Sequence, residues 1–125
     1  MEKDKANIKN EFKRRLYGFV LKLIEFIDAL AKDTVSYRIG DQLLRSGTGI
    51  LSNYVEAQSA ASKKEFVYYF NIFLRSANES KMWFALLRDG NRAKPESVQW
   101  FLDELAEFSK VFASSILTAK RKKVV

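Results

Sequence analysis

Four stretches of this chain repeat apolar residues at intervals of three and four, and no stretch alternates apolar and polar residues over a useful length. Because an α-helix has about 3.6 residues per turn, this spacing places the apolar side chains on one helical face. The pattern predicts an all-α protein with helices over residues 7–32, 34–58, 62–89 and 95–120, and a basic tail over 120–125.

Start and stop signals separate the four predicted helices. Asp33 or Thr34 can cap the second helix, and the Ser62–Glu65 segment has the spacing of a capping box at the start of the third. Gly90 is a suitable end for the third helix, and Pro95 suits the first turn of the fourth. A chain of 125 residues with such short connections is expected to form one domain, residues 1–125.

Short links between long helices favour an up-down-up-down antiparallel four-helix bundle. This topology places the start of helix 1, the end of helix 2, the start of helix 3 and the end of helix 4 at one end, the basic pole. Twelve basic and five acidic residues fall there, and 12 minus 5 equals the whole net charge of +7. We expect this pole to bind nucleic-acid phosphates through Lys9, Lys13, Arg14, Arg15, Lys63, Lys64, Lys120, Arg121, Lys122 and Lys123. The alternative is that basic termini only aid solubility and complement the dipole of helix 4.

The chain contains neither cysteine nor histidine. The commonest zinc ligand and the usual general base near neutral pH are therefore missing, and we expect no metal, no cofactor and no enzymatic activity. A charged N-terminus that lacks the apolar run of a signal peptide or a membrane span indicates a soluble cytoplasmic protein.

Helix 3 carries more aromatic residues than one core-facing stripe can use. Apolar surface beyond the core face usually marks an interface, so we expect a ring-like homo-oligomer. The predicted interface residues are Tyr68, Tyr69, Phe73 and Trp83. Base stacking by Tyr68 or Trp83 is one alternative, although these rings are not interleaved with lysines, and ordinary core packing is the other.

Polar residues on helices 2 and 3 suggest pairs that fix helix register. An antiparallel turn near residues 60 and 61 brings Arg45 within reach of Glu79 and places Asn53 opposite Tyr69. Glu56 then lies about 20 Å of helix away from Glu79, too far for the two carboxylates to share a proton or a metal. Arg45, Asn53, Glu56 and Glu79 are therefore predicted to be structural.

The segments 42–46, 49–56, 62–66 and 76–80, with Trp83 and residues 86–87, resemble a known bacterial family. They are similar to the four-helix-bundle proteins encoded in intervening sequences of 23S ribosomal RNA genes, and also to the related accessory variability proteins of diversity-generating retroelements. The resemblance covers about residues 10–120. It departs where the family usually has Ile-Ala-Glu-Gly and this chain has Tyr-Val-Glu-Ala at 54–57, so helix 2 is expected to continue toward Ser59.

The resemblance implies a homopentameric barrel with a basic surface that binds nucleic acid and has no established enzymatic activity. For the retroelement relatives it implies a reverse transcriptase as partner. Two functions follow as hypotheses. The first is a non-catalytic, oligomeric module that binds RNA or DNA phosphates. The second is a protein-interaction scaffold or accessory subunit, for example for a reverse transcriptase.

Overall fold

The structure, a computed structural model, describes the backbone of residues 2–124 and the side chains of residues 11–114 and Leu117. Four helices follow one another: α1 (Glu2–Asp28), α2 (Thr34–Gln58), α3 (Lys63–Asp89) and α4 (Pro95–Val124). No strand occurs in the described backbone. The prediction of an all-α four-helix bundle is confirmed, whereas α1 ends at Asp28 rather than at Lys32.

Leu30, the last residue of the apolar stripe of α1, is buried although the helix ends before it. The Leu30 N–H donates to the Ile27 carbonyl, a tighter turn than the α-helical bond, and the Leu30 side chain is buried. The apolar spacing is thus correct at this residue, although the backbone has already left the helix.

Side-chain caps start α2 and α3 as their residue types predict. Asp33 accepts a hydrogen bond from the Ser36 N–H, and the Ser62 hydroxyl accepts one from the Glu65 N–H. At the other end of α3, Gly90 is the C-cap and Asn91 takes the left-handed conformation with φ of 58°. The Arg92 N–H then donates to the Leu87 carbonyl, which completes a Schellman motif with Asn91 in the position usually taken by glycine.

Small residues bring α2 and α3 together. The backbones of these two helices approach most extensively in the bundle, and the Ser46 and Ser80 hydroxyls meet at 2.8 Å in a buried hydrogen bond. A Cβ added to Gly49 would lie 3.2 Å from the Ser76 hydroxyl, so glycine permits this spacing. We refer to this contact as the small-residue seam.

Aromatic rings fill the space between α1 and α4. Few Cα atoms of the two helices approach within 8 Å. Phe12 lies edge-on to Phe108 with ring centroids 5.7 Å apart, and Phe19 lies edge-on to Phe101 at 5.5 Å. We refer to this contact as the aromatic seam. Because α1 also packs on α2, and α3 on α4, the four helices close into a square in which α1 and α3 occupy opposite corners.

Candidate nucleic-acid interface

Four of the predicted phosphate-binding residues have described side chains that point into solvent. Lys13 and Arg14 are exposed on the first half of α1, and Lys63 and Lys64 are exposed in the first turn of α3. None of the four forms an ion pair with another side chain in residues 11–114. The predicted residues Lys9, Lys120, Arg121, Lys122 and Lys123 lie outside the described side chains.

The two pairs of exposed basic residues lie on opposite corners of the bundle, because α1 and α3 are not neighbours in the square. The pole therefore carries positive charge around its rim and not in one spot. Lys63 and Lys64 also follow the Ser62 cap directly, where the free backbone N–H groups of a helix already create partial positive charge. Their positive charge opposes the helix dipole, so it does not stabilise α3.

Arg15 does not share this environment. Its Nε donates to one Glu104 carboxylate oxygen at 3.0 Å and its Nη2 to the other at 2.7 Å, a two-pronged ion pair that links α1 to α4. The hydrogen bond to Glu104 raises the pKa of Arg15 above its ordinary value. Arg15 also lies over the Phe108 ring, 5.5 Å from its centroid. The structure thus gives this predicted phosphate ligand a structural role.

A shallow hollow of about 370 Å³ lies beside the exposed basic pair of α1. Lys13, Arg14, Tyr17 and Gly18 line it. Tyr17 is 57% exposed, whereas Leu16 and Phe19 on the same helix are buried in the core. The sequence prediction missed Tyr17, and the signal that could have found it is an aromatic residue one turn after two adjacent basic residues.

The predicted register pair between Arg45 and Glu79 is not formed. Both side chains are exposed, and the Glu79 carboxylate instead accepts a hydrogen bond of 3.2 Å from the Trp83 indole N–H on its own helix. Glu56 is exposed as well, and Asn53 donates to the Gly49 carbonyl at 2.7 Å.

The buried polar contact between α2 and α3 is Ser46 with Ser80. The sequence prediction missed it because a serine in a helix usually bonds to its own backbone. Ser80 also does so, donating to the Ser76 carbonyl, while its hydroxyl contacts Ser46.

The four predicted interface residues on α3 have different surroundings. Phe73 is fully buried, with its ring centroid 3.5 Å from that of Phe112, so placing it at an interface was wrong. Its helical phase explains this, because Phe70, Ala77 and Phe84 on the same stripe are also buried. Tyr69 and Trp83 are partly buried against the core, and Tyr68 is 59% exposed.

Two further features of the described residues bear on function. Within residues 11–114 no three acidic side chains are grouped closely enough to hold a metal ion. No helix in the described part of the chain combines the length and the apolar character needed to cross a membrane.

Comparison with known proteins identifies a family and finds solved structures that resemble this chain. The family model described as "23S rRNA-intervening sequence protein" matches residues 9–114. A crystal structure from Bacteroides thetaiotaomicron, of a protein with unknown function from the S23 ribosomal protein family, is 29% identical to this chain with a TM-score of 0.80. The match covers 86% of this chain and 96% of that one. A search of curated proteins found no match.

Proposed function

The chain belongs to the family of 23S rRNA-intervening sequence proteins, and we propose that it is a non-catalytic protein that binds nucleic-acid phosphates at its basic pole. The observation that carries this proposal is the set of exposed cations at that pole. Lys13, Arg14, Lys63 and Lys64 form no ion pair with a described side chain, so their charge is available to an anionic partner.

The position of Lys63 and Lys64 adds to this argument. Lysines in the first turn of a helix oppose the macrodipole and carry a cost in helix stability. Together with the free N–H groups of α3 they add positive potential at the α3 corner of this rim, where Glu65 is the one acidic residue of the first turn, and positive potential attracts phosphates. Phosphate contacts carry no sequence information, so binding is expected to show weak sequence preference.

Reversing the charge of this corner tests the proposal. The double variant Lys63→Glu, Lys64→Glu should bind a 20-base-pair duplex more weakly than the parent, as expected from the loss of two phosphate contacts. Fluorescence anisotropy between 0.05 and 0.2 M salt measures this affinity. Each lost contact lowers the slope of log affinity against log salt by about 0.9, so a decrease of about 1.8 is expected.

The matched control is Lys32→Glu with Lys94→Glu, which changes the net charge equally. Lys32 and Lys94 are exposed and adjoin the two loops at the opposite pole. If both double variants weaken binding equally, net charge alone accounts for the affinity, and the basic pole is not the site.

We further propose that copies of the chain assemble into a ring, a pentamer by family resemblance, in the cytoplasm. The supporting observation is the exposed apolar surface of α3, where Tyr68, Met82 and Leu86 are each 46% exposed or more. If the scaffold hypothesis holds instead, with a polymerase or other protein as partner, this surface contacts that partner. Light scattering across protein concentration, with Met82→Lys as the variant, measures the mass directly. An unchanged monomeric mass in both proteins would contradict the ring.

A further inference from the structure

The hollow on α1 combines an exposed aromatic ring with two exposed cations. Lys13 and Arg14 lie one helical turn, about 5.4 Å, before Tyr17 and Gly18, so the four residues share one face of the helix. That face points away from the core, because the core residues Leu16, Phe19 and Val20 occupy the other side of α1.

Gly18 lies on this face, and the packing of the bundle does not require a glycine at this position. A Cβ added to Gly18 would meet no atom within 4 Å, so packing does not require glycine there. Glycine in the middle of a helix disfavours the helix relative to alanine. Gly18 therefore leaves open space in the hollow that it lines together with Tyr17.

Three other exposed aromatic residues differ from Tyr17. Tyr68 is 59% exposed, but the two residues one turn before it are Lys64 and Glu65, so a carboxylate stands where Tyr17 has Arg14. Trp100 is covered by Lys22, whose Nζ lies 4.1 Å from the ring centroid. Tyr37 is 67% exposed but lines a different cavity, in which the two carboxylates of Asp28 and Asp41 outnumber the one cation, Lys32, and disfavour a phosphate. Tyr17 has two cations one turn before it that form no ion pair with a described side chain, and it lines a hollow with them.

We propose that the hollow lined by Lys13, Arg14, Tyr17 and Gly18 is a stacking site for an unpaired nucleotide of RNA or DNA. The base stacks on the Tyr17 ring above Gly18, and the adjoining phosphates bind Lys13 and Arg14. This inference rests on the proposed function, and it adds a preference for single strands that phosphate contacts alone do not give. Stacking on aromatic side chains accepts any base, so no sequence preference is expected.

Three variants separate the ring, the hollow and the phenol hydroxyl. Tyr17→Ala removes the aromatic ring on which a base would stack. Gly18→Leu places a large side chain in the hollow. Tyr17→Phe keeps the ring and removes only the phenol hydroxyl. The probes are fluorescein-labelled 15-nucleotide oligouridine, oligothymidine and a 15-base-pair duplex, followed by anisotropy at 0.1 M salt. Tyr17→Ala and Gly18→Leu should each weaken single-strand binding about tenfold, a loss in the range measured for one stacked base. Tyr17→Phe should bind like the parent.

Two controls distinguish stacking from other roles of this surface. Tyr37→Ala removes a tyrosine at the opposite pole that is 67% exposed, against 57% for Tyr17, and should change nothing. Leu21→Ala removes apolar surface one turn from Tyr17 without touching the hollow. If Tyr17→Ala and Leu21→Ala both change the mass in light scattering, this face of α1 is a protein interface and the inference is overturned.

The outcomes also separate this inference from the proposed function. If the parent protein binds neither single strands nor duplex, the proposed function fails. If it binds both equally and Tyr17→Ala changes neither, the proposed function stands and the stacking site is refuted. A larger loss with oligouridine than with oligothymidine would identify RNA as the ligand of the hollow, and the reverse would identify DNA.

Discussion

The approach of α1 to α2 at Gly47 allows a stability prediction with a definite sign. A Cβ added to Gly47 would overlap the Cδ2 atom of Leu23, so Gly47→Ala forces that side chain to move. Leu23 is fully buried, and the surrounding close-packed core leaves little room for another rotamer.

Two opposing contributions set the magnitude. Replacing a helical glycine by alanine gains about 1 kcal/mol in helix propensity. Adding a methyl group to a filled core costs about 1–3 kcal/mol, and the overlap with a buried leucine favours the upper half of that range. Gly47→Ala is therefore expected to lower the free energy of unfolding by about 1–2 kcal/mol.

The sign should reverse when Leu23 is truncated. Leu23→Ala alone costs about 2–5 kcal/mol because it leaves a cavity. In that background the methyl group of Gly47→Ala has space, so the same substitution should now stabilise the protein by about 1 kcal/mol. Urea unfolding followed by circular dichroism at fixed protein concentration measures all four members of this cycle.

Gly18→Ala is the matched control. It makes the same chemical change in a helix where the new methyl group meets nothing within 4 Å, so it should stabilise the protein by up to about 1 kcal/mol. The reasoning is refuted if Gly47→Ala has the same effect in both Leu23 backgrounds, or if it is as favourable as Gly18→Ala.

Two further predictions concern the loops at the pole opposite the basic one. Asn91 has a φ of 58°, so Asn91→Ala should lower the free energy of unfolding by about 1 kcal/mol in thermal unfolding while Asn91→Gly should not, and equal losses would contradict the left-handed cap. The pKa of Asp33 is lowered, first by the hydrogen bond from the Ser36 N–H and also by the Ser36 hydroxyl and Arg92, whose Nη1 lies 2.6 Å away. A lowered pKa in the folded state stabilises the protein above the unfolded value near pH 4, and this stabilisation is lost as the pH falls through the folded pKa. Asp33→Asn should therefore flatten the acid side of the stability profile measured by urea unfolding between pH 2 and 6, and an unchanged slope would contradict this role of Asp33.

The sequence predicts the helices well because their signals are local. The spacing of apolar residues and the caps at Asp33 and Ser62 each involve residues within one or two turns, and the structure contains these elements. Even the burial of Leu30 follows from the apolar spacing, although the helix ends before it.

The pairing of side chains across helices is harder to predict because it depends on rotation about the helix axis. A shift of one residue turns a side chain by about 100°, which separates the exposed Arg45 from the buried Ser46. On α3, Tyr68 and Phe73 are five residues apart and differ by about 140° in direction, so Phe73 is buried while Tyr68 is exposed. Counting residues along an antiparallel hairpin predicts the height of a residue along the helix axis, but it does not predict the direction in which its side chain points.

Electrostatic partners are missed for a related reason. Arg15 stands next to Arg14 in the sequence and carries the same charge, yet it pairs with Glu104, 89 residues away. Composition and charge counting treat these two arginines alike. Only the packing of α4 against α1 distinguishes Arg15, which is ion-paired to α4, from Arg14, which forms no ion pair with a described side chain.

The two seams of the bundle differ in the mutations they can absorb over evolutionary time. At the small-residue seam, where Ser46 meets Ser80, any larger side chain must push two helices apart, so few substitutions can become fixed. The aromatic seam consists of large side chains, among them Phe12, Phe19 and their neighbours on α4. A smaller side chain at one of these positions can be compensated by a larger side chain at a neighbouring position, because the total core volume is then kept. Relatives of this protein should therefore diverge faster along the aromatic seam, in compensating pairs, while the small-residue seam keeps its residue sizes.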